Sequence, residues 1–276
     1  MSKVMVLYHA GCPDGFGSAW SFYKKYGDKA DYIPVRFDEE PPDVRGRSVF
    51  IVDFSYSRPI LEEMHEAAHS LVVIDHHKTA QESLAGLDYC HFDMSHSGAY
   101  LSWKYLFGED NVPLLIQYIE DRDLWNWNLK SSEEILSAID SYPRNFQTWD
   151  QLDNQLDKLG SETWFRLYLE GSAILRYKNC LIHSIKAKQH KIKVGDKLIR
   201  AVNAPFFQSE IGNQLSEGEP YAAVYYFNGE RFIFSLRSSD GGEDVSDVAK
   251  SFGGGGHKRA SGFSVVNISD LDKNND

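Results

Sequence analysis

Short apolar runs in the first third of the chain stop at polar residues, and amphipathic stretches separate them. Val4–Tyr8 runs into His9, Val49–Val52 ends on Asp53, and Leu71–Ile74 ends on Asp75, while Tyr32–Arg36 reads as a further strand. Between them, a glycine-rich turn over Gly11–Gly17 is followed by helical patterns at Ser18–Tyr26 and Pro59–His69. Apolar strands alternating with amphipathic helices predict a parallel sheet with helices on its faces. Ligands of open parallel sheets bind at the carboxyl edge of the strands, where these polar residues fall.

The period then changes twice. From Ser97 to about Gln189 apolar and aromatic residues recur three or four apart, as in Leu114, Tyr118 and Ile119 or Trp164, Leu167 and Tyr168, which predicts helices. Glu170–Lys188 reads as one connecting helix. From Lys191 strand patterns return at Lys191–Val194, Leu198–Val202, Ala222–Phe227 and Phe232–Leu236, with Asn228-Gly229 as a hairpin turn between the last two. A length of 276 residues favours two domains, and a 42% hydrophobic content supports packed cores. Only Ser269–Asp276 reads as a loose tail.

Composition also narrows the partners. No apolar run is long enough for a membrane span, and Met1–Leu7 lacks the features of a secretory signal. Three widely spaced cysteines, Cys12, Cys90 and Cys180, suit a reducing compartment better than a disulfide framework, so the expected location is cytoplasmic. A net charge of −11 disfavours long polyanions, long duplex DNA among them, but is compatible with a short phosphorylated molecule in a local basic pocket.

The strongest chemical signal is Val72-Val73-Ile74-Asp75-His76-His77, a strand running into an acid and two imidazoles. The first strand ends at His9-Ala10-Gly11-Cys12-Pro13-Asp14, and the third at Asp53, so three acidic strand ends meet on one rim. Taken singly each is explained as a cap or turn residue. Together they form a candidate site for divalent metal. Aromatic residues at Trp125, Trp127, Phe206 and Phe207 are candidates for base stacking, although packing accounts for most aromatics.

The ordered set of His9 with Asp14, then Asp53, then Asp75-His76-His77, resembles the DHH phosphoesterase superfamily. Its members include RecJ-like single-strand exonucleases, nanoRNases, cyclic-dinucleotide phosphodiesterases and pyrophosphatases. Tyr118-Ile119-Glu120-Asp121-Arg122-Asp123 resembles the fourth motif, with Asp121 the first choice and Asp123 the alternative. Phe252-Gly253-Gly254-Gly255-Gly256-His257-Lys258-Arg259 resembles the glycine-rich signature of the associated C-terminal domain. The resemblance implies an α/β protein: a parallel-sheet catalytic domain over 1–130, a helical connector over 131–188 and a smaller α/β substrate-binding domain over 189–268.

The same resemblance implies a pair of metal ions, Mn²⁺ with Mg²⁺ or another divalent metal as alternatives, held by His9, Asp14, Asp53, His76 and Asp121, with Asp53 as the bridge. Asp75 and His77 become supporting catalytic groups. Arg237, Gly254, Gly255, Gly256 and His257 become the substrate grip. Hydrolysis of short single-stranded oligonucleotides or linear dinucleotides is the implied activity. Cyclic dinucleotides, phosphoadenosine phosphate or pyrophosphate are alternative substrates, a catalytically silent nucleotide-binding module is another reading, and a homodimer is the candidate assembly. One departure stands out: Cys12 occupies the place of a family acid, and reads as a soft ligand, a cause of weaker metal binding, or a packing residue.

Overall fold

A computed structural model describes residues 3–36 and 39–271. The chain forms two compact units, 1–176 and 177–276, each with its own sheet. The first unit contains β1 (Val4–His9), α1 (Pro13–Tyr26), β2 (Ala30–Val35), β3 (Ser48–Val52), α2 (Arg58–Ala67), β4 (Ser70–Asp75), α3 (Lys78–Ser83) and β5 (Cys90–Phe92). It continues through α4 (Gly98–Phe107), α5 (Leu114–Asp123), α6 (Ser132–Ser141) and α7 (Phe146–Gln155) into α8 (Glu162–Lys186). The division between the units falls inside α8.

The first sheet has the order β2-β1-β3-β4-β5, and every pairing in it is parallel. Chain order therefore reverses between β1 and β3, and the crevice at such a reversal is where open parallel sheets bind ligands. The period of two sends Met5, Leu7, Val49, Ile51 and Val73 to one buried face, and Val6, Val52 and Ile74 to the other. A further core, including Trp20, Tyr118, Trp149 and Trp164, joins helices α1, α5, α7 and α8 beside the sheet.

The second unit adds β6 (His190–Val194), β7 (Lys197–Asn203), α9 (Gln208–Ser216), β8 (Ala222–Phe227), β9 (Phe232–Arg237), α10 (Val245–Ser251), β10 (Gly255–Gly256) and β11 (Ala260–Val265). Its sheet, ordered β10-β11-β9-β8-β7-β6, is antiparallel except for the β7–β8 pair, which α9 joins. At the hairpin between β8 and β9, the Asn228 side chain accepts from the backbone N–H groups of Glu230 and Arg231. Leu271 is buried in the core of this unit, so the tail expected from Ser269 is anchored as far as that residue; its remainder, 272–276, lies outside the described residues. Among the described residues, no helix is long and apolar enough to cross a membrane.

Two local readings change. The turn expected over Gly11–Gly17 is confined to residues 10–12, where Gly11 has a φ of +83°, because α1 already begins at Pro13 with Cys12 as its cap. Proline suits the first helical position, and Gly15 and Gly17, inside the helix, leave room for close neighbours. A Cβ at Gly15 would lie 2.2 Å from the His9 carbonyl oxygen, and one at Gly17 would lie 2.9 Å from Ala99 Cβ. The sequence reading also lacks β5, β10 and β11. At three and two residues, β5 and β10 carry too little periodicity to register, and six-residue β11 lies partly within the stretch read as a glycine-rich signature; the glycines of β10 allow close pairing, since a Cβ at Gly256 would meet the Ala260 carbonyl oxygen at 2.7 Å.

Gly17→Ala tests the packing of α1 on α4. Exposed helical sites gain about 1 kcal/mol from this change. Here overpacking is expected to cost the first unit about 1–3 kcal/mol, measured by urea unfolding followed through tryptophan fluorescence. A variant as stable as the parent would refute the close approach.

Candidate metal centre

The carboxyl edge of the first sheet gathers side chains from four separate segments. β1 ends on His9, β3 is followed by Asp53, β4 ends on Asp75 with His76 and His77 behind it, and Asp14 lies in the first turn of α1. Parallel register places Val52 between Tyr8 and Ile74, which brings the residues that follow these strands to one rim. Asp14, Asp53, Asp75 and His76 are each at most 3% exposed, so their charges are largely removed from water.

Asp53 is the hinge of the arrangement. Its φ of +61° is uncommon for a residue with a Cβ, and its backbone N–H still donates to the Ile74 carbonyl at 2.9 Å. In this conformation the two carboxylate oxygens face different neighbours. Oδ1 lies 3.1 Å from His76 Nε2, while Oδ2 lies 3.2 Å from Cys12 Sγ and 3.5 Å from His9 Nδ1. Asp14 Oδ2 and Asp123 Oδ2 approach the same His76 nitrogen at 3.5 and 3.6 Å. Two donor groups, His9-Cys12-Asp53 and Asp14-His76-Asp123, thus flank Asp53, the donor atoms of each within 4.8 Å of one another.

Helix α4 braces this cluster from the other side. Gly98 and Ala99, at its first turn, donate their N–H groups to Asp14 Oδ2 and Oδ1 at 2.7 and 3.0 Å, and the Ser97 hydroxyl caps the helix through Tyr100 N–H. A carboxylate at a helix N-terminus is stabilised by both the hydrogen bonds and the dipole. Only glycine fits at 98, since a Cβ there would lie 2.6 Å from Asp53 Oδ1 and 2.9 Å from Asp14 Oδ2. In the sequence, Ser97-Gly98 after His96 reads as a helix start, either next to the metals or explained by capping alone; the pairing of its amides with Asp14, 84 residues away, carries no sequence signal.

Asp75 organises the two histidines. Its Oδ1 accepts from His77 Nδ1 at 2.7 Å and from the His76 and His77 backbone N–H groups, and its Oδ2 accepts from the Ser55 hydroxyl at 2.7 Å. Ser55 carries no sequence signal of its own beyond standing two residues past Asp53. Burial would raise the Asp75 carboxyl, but the His77 charge and hydrogen bond hold it at about 2. His77 responds in kind: burial lowers its pKa, and Asp75 more than offsets that and raises it.

The donor set fits divalent cations. Burial, with the adjoining Asp53 and Asp123 charges, pushes the Asp14 carboxyl well above the usual range. Burial acts the same way on Asp53, but hydrogen bonds from His76 and His9 hold it well below that range. For His76 burial is outweighed by Asp123, Asp53 and Asp14, which raise it well above an ordinary imidazole. These shifts share one cause, the convergence of buried carboxylates on His76, and divalent cations would offset that negative charge.

The two acids of the fourth motif lie in different places. Asp123 stands at the end of α5 beside His76, whereas Asp121, the first choice, turns into the following loop. There its two oxygens accept from the Asn128 and Leu129 N–H groups at 2.8 and 3.1 Å. The loop needs that support because Trp125, Trp127 and Ser131 all have positive φ. In the second unit, Arg237 ends β9 opposite Ala260 of β11, and donates to the Ser209 hydroxyl at 2.7 Å. Gly255 and Gly256 form β10, and His257 begins the turn back into β11, its N–H donating to the Ala260 carbonyl.

No protein-family model matches the chain. Over 292 residues it is 32% identical to the uncharacterized protein R106 of Acanthamoeba polyphaga mimivirus, with 96% of this chain and 68% of that protein covered. Over 253 residues it is 26% identical to the oligoribonuclease NrnB of Bacillus subtilis strain 168, with 80% and 60% covered, so it spans under two thirds of that relative's length. In fold it is similar to the DHH domain of a member of the s1p family of ribosomal proteins, at a TM-score of 0.55 and 13% identity, covering 97% of this chain and 83% of that one. It is similar as well to RecJ of Thermus thermophilus in complex with Mn²⁺, at a TM-score of 0.50 and 15% identity, covering 95% and 49%. With its motifs in order along one edge of a five-stranded parallel sheet, and with these relatives and neighbours, the chain belongs to the DHH phosphoesterase superfamily.

Proposed function

We propose that the chain is a metal-dependent phosphodiesterase, of the exonuclease kind, that hydrolyses short single-stranded oligonucleotides or linear dinucleotides to mononucleotides. The observation that carries this reading is Asp53, whose two oxygens face separate groups of metal-type donors on the carboxyl edge of the sheet. His9, Asp14, Asp53, His76 and Asp123 would hold two cations, with Asp53 common to both. Carboxylate and imidazole donors suit Mn²⁺ or Mg²⁺, and the similar RecJ structure contains Mn²⁺. Divalent ions held there would supply Lewis acidity and offset charge on the phosphoryl oxygens.

The protein's own groups then have distinct tasks. Asp75 fixes His77 with Nδ1 as the donor to its carboxylate, so the proton exchanged with a leaving oxygen would be carried on Nε2. Ser55 and the two backbone amides keep Asp75 in place as that proton moves. Arg237 would pair with phosphate through its planar fork, and the Gly254–His257 turn would offer backbone N–H groups. A net charge of −11 favours short substrates over long ones. The relative named as an oligoribonuclease agrees with that direction. Free Cys12, Cys90 and Cys180 agree with a cytoplasmic setting.

Release of mononucleotides from dinucleotides and from longer single strands, followed by anion-exchange chromatography with Mn²⁺ or with EDTA, tests the proposal. Turnover of the dinucleotide is expected to exceed that of long strands and to vanish in EDTA. Turnover confined to cyclic dinucleotides, phosphoadenosine phosphate or pyrophosphate would overturn the substrate assignment, and none at all would overturn the hydrolase reading. Asp53→Asn should lower kcat at least about 100-fold, the upper range for losing a group that only orients a ligand.

The two acids of α5 separate in a paired measurement. Asp123→Asn is expected to weaken Mn²⁺ binding about tenfold or more in calorimetric titration, with little change in the stability of the metal-free protein. Asp121→Ala is expected to do the reverse, costing about 2–4 kcal/mol because two loop N–H groups lose their acceptor. Equal loss of Mn²⁺ affinity in both variants would show that Asp123 has no special place at the metals.

A further inference from the structure

Cys12 is neither an ordinary core thiol nor a preferred helix cap. A packing cysteine lies among apolar groups, but Cys12 Sγ faces Asp53 Oδ2 at 3.2 Å and His9 Nδ1 at 3.5 Å. Its Sγ also accepts from Gly15 N–H at 3.0 Å, a role that serine, threonine, aspartate and asparagine fill better. His9 Nδ1 and Asp53 Oδ2 are 3.5 Å apart, so sulfur, nitrogen and oxygen form a triangle with edges of 3.2 to 3.5 Å. Bonds of 2.0–2.3 Å to a tetrahedral ion give donor–donor edges of roughly 3.3–3.6 Å. The triangle already has about the size that one ion requires.

The other side of Asp53 is chemically different. Asp14, His76 and Asp123 offer only oxygen and nitrogen. We propose that Cys12 is a metal ligand, and that the centre is therefore unsymmetric: a sulfur-containing position made by His9, Cys12 and Asp53 for Zn²⁺ or Fe²⁺, beside an oxygen- and nitrogen-only position for Mn²⁺ or Mg²⁺. Thiolate donors draw softer ions, whereas carboxylates and imidazole accept the harder ones. On binding, the sulfur–hydrogen bond breaks, the proton passes to solvent, and the sulfur lone pair forms the bond to the cation. This inference rests on the metal centre proposed above but concerns which ions fill it.

Cobalt reports sulfur ligation directly, since a thiolate bonded to Co²⁺ absorbs in the near ultraviolet and oxygen or nitrogen donors do not. The full-length chain, freed of metal by chelation, is titrated with Co²⁺. The wild type is expected to develop the band with one equivalent. A Cys90→Ser, Cys180→Ser double variant should keep it, and Cys12→Ser should lose it. Serine preserves the cap on α1, so loss of fold is not the expected cause, and circular dichroism verifies this. Cys12→Asp, equilibrated with equal Zn²⁺ and Mn²⁺ and analysed for metal content, should shift the ratio toward Mn²⁺ at least tenfold. No band in the wild type, or an undiminished band in Cys12→Ser, overturns the inference. Turnover is measured separately: a band without hydrolysis defeats only the proposed function, and Mn²⁺-dependent hydrolysis without a band defeats only the role of Cys12.

Discussion

Burying several carboxylates within reach of one another is costly, because each charge forfeits its hydration and repels the next. The first unit meets that cost with directed N–H and O–H donors. Asp14 is held by the first turn of α4, Asp75 by two backbone amides and Ser55, and Asp53 by the imidazoles of His9 and His76. Much of the local architecture follows from this need. Helix α4 must bring its N-terminus against the sheet edge, and position 98 must be glycine for it to come so close.

The same constraint explains why the sheet order matters. With β1 and β3 adjacent at the point where chain order reverses, His9 and Asp53 leave the sheet side by side, and β4 delivers Asp75 and His76 from the next position. The positive φ of Asp53 then turns one carboxylate toward two sets of donors. Strain in one residue is the physical means by which three strands share a single centre.

Cys12 caps α1 through its sulfur, a role that serine or aspartate fills better, and the same sulfur faces Asp53 and His9. The two acids at the end of α5 face different surroundings. Asp121 stabilises the strained turn bearing Trp125 and Trp127, which leaves Asp123 to face His76.

The amino-acid order alone determined the parallel sheet, the strand ends bearing His9, Asp53 and Asp75, and the change of period that marks the second unit. Periodicity is a local property and is readable wherever a strand or helix spans enough residues, which is why β5 and β10 escaped it. Only the tertiary structure set Asp123 beside His76 and Asp121 against the following loop, extended α1 back to Pro13, and revealed Gly98 and Ala99 as the partners of Asp14. Those outcomes depend on distances between segments far apart in the chain, and on whether a Cβ fits between them, and neither quantity is encoded in the spacing of residues along one strand or helix.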